Sequence, residues 1–335
     1  MSDLAAGVEG PAGAAGVRGG RYTGPIIDAH HHVWDLERNR YPWLLPDAMV
    51  PHRYGDYSAI KHSYQAADYL RDTAGLGIAA SVYMEAEWDP TDPLGETAYI
   101  SGVSESTGVP GAMVAQVWLD APDAGRLIAA QAAHPIVRSV LHKPGGPSTV
   151  QEARAGGRTL MSDAQWRRGY ARLAEHGLHF ELQTPWWNLH EAAELATEMP
   201  ETMIVVNHAG VLLDREPATV AGWRAAIAEI ATRPNVVVKA SGLCVEGAPW
   251  STDLVREPLL TLIELFGADR VMFGSNFPVD GMFTDYRGLL EAFQEAAEEL
   301  SASQQSALFH DTAARIYAPT PCGGSLPALV EPVSP

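Results

Sequence analysis

The 335-residue sequence predicts a (β/α)8 barrel, and three observations favour this fold. Eight short apolar runs follow one another at fairly even spacing, helical patterns fill most of the intervals, and residues able to do chemistry recur where the runs end. The rival fold is an open doubly wound sheet, which usually has a glycine-rich phosphate loop after its first strand. Histidines occupy that position here, and the sequence contains no GxGxxG or phosphate-loop motif.

The eight predicted strands are short apolar runs bounded by turn residues, as expected of strands that are buried on both faces. In chain order they are PIIDAH from residue 25, GIAASVYMEA from 77, GAMVAQVWL from 111, PIVRSVLHK from 135, LHFELQT from 178, TMIVVNHAG from 202, NVVVKASGL from 235 and RVMFGSNFP from 270.

Helical patterns separate most of these runs. In DAQWRRGYARLAEHG, apolar side chains recur at three- and four-residue spacing, Asp163 is near the start and Gly177 ends the segment. Similar patterns begin at residues 63, 216 and 251, and two further helices are predicted after the eighth strand, over 284–300 and 303–316. The alternation of strands and helices therefore predicts a barrel with extra C-terminal helices.

Composition limits the organisation and the partners of the chain. The barrel is predicted over residues 25–318, between a flexible glycine-rich extension (1–24) and an irregular proline-rich tail (319–335). The net charge of −18 disfavours nucleic acids and anionic membranes as partners. The two cysteines do not form a disulfide framework, and no signal peptide is recognisable, so we expect a cytoplasmic protein, with a homodimer as one option.

The predicted strand ends carry a concentration of polar and titratable side chains. Active sites of such barrels form at the C-terminal ends of the strands. The candidates, strand by strand, are His30 and His32, Glu85, Gln116 and Trp118, His142 and Lys143, Glu181 and Gln183, His208, Lys239 and Ser241, and Asn276 with Asp280. Their convergence on one rim predicts the active site there.

The spacing of His30 and His32 predicts that they share a face. Residues two apart on an extended chain point to the same side, so both imidazoles can enter the barrel mouth, whereas His31 points away. Neutral imidazole nitrogens bind zinc and similar ions, so the pair is a candidate metal site; hydrogen-bonded structural histidines are the alternative. His208 is a candidate third ligand or general base.

Other candidates have structural alternatives. Glu85 is expected to act as a ligand or base, or to form only a salt bridge at the rim. Lys143 is a candidate cation for a substrate carboxylate, although lysines are common on any surface. Aromatic side chains at a barrel mouth can wall a small-molecule pocket or simply pack a loop, and this choice is open for Trp34, Trp43 and Trp186.

Six segments occur in a characteristic order between about residues 26 and 317: IDAHHHVWDLERNRYPWL, VRSVLHKPGG, FELQ, VVNHAGV, NVVVKASGL and RVMFGSNFPVD. In this order they resemble the amidohydrolase superfamily, specifically the amidohydrolase-related branch that contains sugar-lactone, pyrone-dicarboxylate and muconolactone lactonases. The first segment is fairly specific to the lactonase-like group, and the others are strong as an ordered set.

The resemblance implies a distorted TIM barrel whose site is lined by His30, His32 and His208. It also implies an acidic residue at the end of strand eight, in many members an aspartate that acts as general base, but Asn276 occupies that position. An amide cannot accept a proton at neutral pH and is a poorer metal ligand than a carboxylate. The strand-four lysine that is carbamylated in two-metal members is not clearly matched by Lys143, which argues against a binuclear site.

Together these features predict a hydrolase that opens a lactone by direct attack of water, with one divalent metal, zinc first, or with none. The histidines His30, His32 and His208 would hold the metal, or would donate hydrogen bonds to the developing oxyanion in its absence. The predicted catalytic residues are His208, His142, Asn276, Glu85 and Asp280, and the predicted substrate-binding residues are Lys143, Trp34, Trp43, Gln183 and Trp186.

Two alternative functions stay open at this point. One is a metal-dependent decarboxylase of an aromatic or muconate-like acid, which the same branch also contains. The other is a barrel that has lost its general base and only binds a ligand, an option that Asn276 keeps open. In each case the expected partner is a small molecule.

Overall fold

The computed structural model describes residues 20–323 and confirms the predicted (β/α)8 barrel. Eight parallel strands form one sheet, in which each strand pairs with the next along the chain. Their bounds are Ile26–His31 (β1), Ile78–Met84 (β2), Ala112–Gln116 (β3), Val137–Leu141 (β4), His179–Leu182 (β5), Ile204–Val206 (β6), Val236–Ala240 (β7) and Val271–Phe273 (β8). Seven strands lie within their predicted apolar runs, and β1 extends one residue beyond its run, to His31.

The sheet closes between the last strand and the first. Just beyond β8, the Asn276 N–H donates to the carbonyl oxygen of His30 at 2.7 Å, and the His32 N–H donates to that of Phe277 at 2.7 Å. A parallel bridge also joins His31 to Phe277. These bonds occupy backbone groups that would lie unpaired at the edges of an open sheet, and they bring Asn276 beside the histidines.

Helices fill the connections between the strands. Their bounds are Ala66–Asp72 (α1), Pro93–Thr107 (α2), Ala124–Ala132 (α3), Val150–Arg154 (α4), Ala164–Ala171 (α5), Leu189–Glu198 (α6), His208–Val211 (α7, a short turn with left-handed backbone angles), Pro217–Ala231 (α8), Thr252–Phe266 (α9), Tyr286–Ala296 (α10), Ala302–Ser306 (α11) and Thr312–Tyr317 (α12). The last predicted helix is divided in two, because a wider π-helical turn over Ala307–Asp311 separates α11 from α12.

Helix α12 closes the N-terminal end of the barrel. At the start of β4, Arg138 Nε donates to the carbonyl oxygen of Tyr317 at 3.0 Å, and at the start of β5, His179 Nε2 lies 3.0 Å from that of Ile316. The Tyr317 side chain is fully buried, and its hydroxyl donates to Glu181. Because this end is filled by side chains, a ligand has to enter at the opposite, C-terminal end of the strands.

A buried ion pair lies inside the barrel. Lys239 Nζ on β7 and Glu181 Oε2 on β5 are 3.0 Å apart, and both side chains are fully buried. Lys239 Nζ is also 3.2 Å from the Met84 sulfur. The sequence grouped Lys239 and Glu181 with the rim, but neither lines the cavity there. Each charge is tolerated in the interior because the other neutralises it.

Most of the predicted N-terminal extension (1–24) and of the predicted tail (319–335) lies outside the described residues, so those domain boundaries stay predictions. Over residues 20–323, no helix combines the length and the apolar character needed to cross a membrane.

Candidate active site

A cavity of about 520 Å³ opens at the C-terminal ends of the strands, where the sequence predicted the site. The predicted site residues that line it are His30, His32, Trp43, Glu85, Lys143, Gln183, His208 and Asn276. These side chains come from the ends of six strands or from the loops that follow them. The barrel therefore brings together residues that are far apart along the chain.

Four residues of the cavity wall other than glycine have a left-handed backbone conformation. The angle φ is 55° at Glu87 and 54° at each of His208, Val211 and Asn276. Residues other than glycine adopt this conformation rarely, at a cost on the order of 1 kcal/mol or more each, and such residues cluster at functional sites. The backbone angles of the cavity wall therefore indicate a functional site, independently of the chemistry of its side chains.

Three histidine rings meet in the cavity. The ring centroids of His30 and His208 are 4.4 Å apart, and those of His30 and His32 are 5.2 Å apart. Burial, followed by the neighbouring His208, lowers the pKa of His30 well below its ordinary value. Burial and then Arg53 do the same for the pKa of His208, and burial lowers the pKa of His32 to about 3. All three rings are therefore neutral at pH 7.

Hydrogen bonds orient two of these rings. His32 Nδ1 lies 3.0 Å from the carbonyl oxygen of Met84. Because a carbonyl oxygen only accepts, the neutral ring carries its proton on Nδ1 and has a lone pair at Nε2. His208 Nδ1 lies 3.0 Å from the Ser241 hydroxyl, whereas His30 Nδ1 is buried without a hydrogen-bond partner within residues 20–323. His32 thus offers the cavity an acceptor, not a donor.

Glu85 is the cavity carboxyl best suited to exchange a proton near pH 7. Its Oε2 accepts from the Glu87 N–H at 2.8 Å and from Gln116 Nε2 at 3.4 Å. Burial raises the pKa of Glu85 to about 7; the charge of Glu87 adds to the rise, and Lys143 opposes it. A carboxylate with such a pKa can take a proton from water and return it at neutral pH.

Asp280 lies behind Asn276 rather than in the cavity wall. Asn276 Nδ2 donates to Asp280 Oδ1 at 2.6 Å, and the Tyr54 hydroxyl donates to the same oxygen at 3.1 Å. Burial raises the pKa of Asp280 to about 6, although Arg53 opposes the rise. Asp280 therefore acts on the cavity through the amide that it holds in place.

Of the predicted aromatic wall, only Trp43 lies at the cavity, where its ring is parallel to that of His52. Trp34 is fully buried, and its indole N–H donates to the carbonyl oxygen of His62 at 2.7 Å. Trp186 is 8% exposed and packs outside the cavity wall. The positions of Trp34 and Trp186 favour the loop-packing alternative for both residues.

His142 and Lys143 follow β4 but have different surroundings. His142 faces a neighbouring cavity of about 360 Å³, which shares Trp43, Glu85 and Lys143 with the main one. His142 Nδ1 accepts from the Leu119 N–H at 3.0 Å, so this nitrogen helps to fix the loop after β3. Lys143 lies at the main cavity but forms an ion pair with Glu87, which neutralises its charge.

Arg53 and His52 also line the cavity, and neither was predicted from the sequence. They lie in the long connection between β1 and α1. The Arg53 guanidinium lies over the Tyr54 ring, with Cζ 4.5 Å from the ring centroid. This connection has no periodic pattern, so nothing in the local sequence distinguishes Arg53 from a surface arginine.

A divalent metal needs several ligand atoms that converge on one point. The lone pair at His32 Nε2 is suitable, but within residues 20–323 no group of three His, Cys, Asp or Glu side chains is placed to hold a metal ion. Arg53 and Lys239 also add positive charge, which helps to lower the pKa values of His30 and His208. As they are placed, these residues do not form a complete metal site.

Comparison with known proteins identifies the family. A family model described as amidohydrolase matches residues 27–318. The chain belongs to the amidohydrolase family. This amidohydrolase is 37% identical to a Sinorhizobium fredii protein named uncharacterized protein y4mH, over 87% of this chain and 98% of the relative. The predicted family is thereby confirmed.

Two comparisons with Burkholderia multivorans proteins extend the likeness. The amidohydrolase is 28% identical to a protein named L-fucono-1,5-lactonase, over 90% of this chain and 98% of the relative. It also matches the crystal structure of an amidohydrolase with bound zinc, at 26% identity and a TM-score of 0.73, over 88% of this chain and 99% of the other. The family and the lactonase-named relative together support the hydrolase that the sequence predicted.

Proposed function

We propose that this amidohydrolase opens a lactone ring by direct attack of water. One observation carries the proposal: Glu85, with a pKa of about 7, shares a cavity with three neutral histidines. Such a carboxylate supplies general acid–base chemistry, and neutral imidazoles can bind water or a carbonyl oxygen. Relatives named L-fucono-1,5-lactonase, at 28% and 27% identity, support the same reaction class.

In the proposed reaction, Glu85 takes a proton from water while the water oxygen forms a bond to the carbonyl carbon of the lactone. The carbonyl oxygen becomes an oxyanion. When the carbonyl re-forms, the bond between this carbon and the ring oxygen breaks, and the protonated Glu85 returns its proton to that oxygen. One lactone and one water become one hydroxy acid, which then ionises, and nothing is oxidised or reduced.

The histidines and Asn276 have distinct parts in this scheme. His32 Nε2, the lone-pair nitrogen, accepts a hydrogen bond from the attacking water. His30 and His208 stabilise the oxyanion through ring N–H groups. Asn276 is a positioning residue for the water, since Asp280 holds its amide. In this assignment two residues share the roles of the usual strand-eight aspartate. Asn276 orients the water, and Glu85 accepts and returns the proton.

The scheme contains no step through a metal, because within residues 20–323 no three His, Cys, Asp or Glu side chains are placed to hold one, and two cations lie near the histidines. A related amidohydrolase structure does contain zinc. We therefore propose that hydrolysis by this chain does not require a divalent ion. A chelator should leave the rate unchanged, and loss of activity that zinc restores would contradict this part of the proposal.

A pH-indicator screen of the purified protein tests the reaction class. The panel should contain sugar lactones, muconolactones and pyrone carboxylates, each with and without a chelator. We expect acid release from one group of lactones and loss of that activity in Glu85→Gln. The matched control is Glu37→Gln, since Glu37 is exposed in the loop after β1 and lies outside the cavity wall. Absence of acid release from every lactone would overturn the proposal, and carbon dioxide release from an aromatic acid would replace it with decarboxylation.

A further inference from the structure

Arg53 lines the active-site cavity and, within the described residues, also has an unpaired hydrogen-bond donor inside the wall. Its side chain lines the cavity, and its Nη1 is buried without a hydrogen-bond partner within residues 20–323. The ring of Tyr54 supports the guanidinium from one side, at 4.5 Å from Cζ. A buried N–H donor without an acceptor is costly, so the fold holds the guanidinium in the cavity wall at an energetic expense.

Arg53 lies directly beside the histidine cluster. A β-carbon placed on Gly242, which has a φ of +59°, would lie 2.4 Å from Arg53 Nη2 and 2.6 Å from His208 Nδ1. The two nitrogens are therefore within about 5 Å of each other. Gly242 is required here, because any side chain would displace both groups. A substrate held against His208 is thus within reach of the guanidinium.

Unlike the other cations near the histidines, Arg53 is not paired with a carboxylate of the described residues. Lys143 pairs with Glu87, and Lys239 pairs with Glu181. Among residues 20–323, no carboxylate oxygen lies within the 4.0 Å that defines such a pair for Arg53. A guanidinium stays protonated at any physiological pH. The cavity therefore has, next to three neutral rings, a positive charge that no ion pair among the described residues neutralises, although this charge also acts on the buried Asp280.

We propose that Arg53 binds a carboxylate carried by the substrate, so that the substrate class is a lactone acid rather than a neutral sugar lactone. This inference rests on the proposed lactonase function and deepens it. The forked N–H groups of arginine match a carboxylate well, and no carboxylate of the described residues forms an ion pair with Arg53. The net charge of −18 repels anions at long range, so an anionic substrate needs a local cation of this kind.

Two matched substrates test the inference: γ-butyrolactone with a carboxylate on its γ-carbon, and the same ring with a carboxamide there. We expect the wild type to prefer the carboxylate by about 10- to 100-fold in kcat/KM, the range that a charged hydrogen bond supplies. Arg53→Met should bring this ratio close to one, and Arg53→Lys should keep part of it. The control is Arg38→Met, which removes a charge at a side chain that is 80% exposed, and it should keep the full ratio.

Calorimetric binding of a non-hydrolysable analogue, an oxocyclopentane carboxylate, separates this inference from the proposed function. If no lactone is hydrolysed but this carboxylate binds and Arg53→Met abolishes binding, Arg53 is an anion site and the lactonase proposal fails. The inference is overturned if the wild type treats carboxylate and carboxamide alike, or if Arg53→Met lowers both rates equally. Thermal melting of each variant identifies any that fail to fold, and Arg53→Lys then carries the test.

Discussion

Glu85 should control the acidic limb of the pH–rate profile. Only its ionised form accepts a proton from water, and its pKa of about 7 leaves about a tenth of it ionised at pH 6, half at pH 7 and nine-tenths at pH 8. We therefore expect kcat/KM for a lactone to rise about tenfold between pH 6 and pH 8. Replacing Glu85 with Gln should remove this limb and lower the rate at pH 8 by roughly 10²–10⁴-fold.

Two charged neighbours of Glu85 allow the direction of its pKa shift to be tested. The charge of Glu87 raises the pKa of Glu85, and the charge of Lys143 lowers it. Glu87→Gln should therefore move the limb to lower pH, and Lys143→Met should move it to higher pH. Acid release should be followed by pH-stat titration without buffer, with Glu37→Gln as the control that leaves the profile in place.

The assignment of Glu85 fails if Glu85→Gln keeps a limb near pH 7, or if the Glu87 and Lys143 variants move the limb in the same direction. Among the described residues, Asp280 also has a pKa raised toward this range, to about 6. If Asp280 were the base, Asp280→Asn would flatten the profile and Glu85→Gln would not. The two carboxyls are therefore distinguished by one pair of variants.

Two further predictions concern buried carboxylates. Asn276→Asp places a second carboxylate against Asp280, so we expect kcat/KM at pH 7 to fall by at least about tenfold. The double variant with Asp280→Asn restores one acid–amide pair and should recover much of the rate. Absence of recovery in the double variant would count against this pairing. Lys239→Met leaves the Glu181 charge buried without its partner and should lower the free energy of unfolding by about 3–5 kcal/mol in urea titrations. The double variant with Lys239→Met and Glu181→Met should recover most of that loss. A double variant less stable than Lys239→Met alone would contradict the reasoning.

The barrel and the histidine cluster could be predicted from the sequence because both depend on local patterns. Each strand is an apolar run, and the residue at its end has to lie at the rim, which correctly brought His30, His208 and Asn276 together. The same reasoning could not place Trp34, because an aromatic residue in a loop has no period that distinguishes a wall from a packed interior. Trp34 is fully buried.

Arg53 illustrates a different limit. Its importance comes from where the long loop after β1 folds back, and that path depends on contacts with residues far along the chain, such as Tyr54 with Asp280 and the approach of Arg53 to Gly242. No local pattern encodes those contacts. The role of Asp280 is similar, because the sequence shows an acid four residues after Asn276 but not that the two side chains are bonded.

The amide at position 276 and the guanidinium of Arg53 are best understood together. A carboxylate facing the cavity at position 276 would bring negative charge to the histidine cluster and would favour a divalent cation there. Asn276 brings none, and Asp280 is held behind the wall by Asn276 and Tyr54. Arg53 adds positive charge to the same cluster, so the site favours an incoming carboxylate and opposes a second cation. The amide at position 276 therefore fits the proposed site, in which Arg53 binds an anionic substrate and Glu85 transfers the proton.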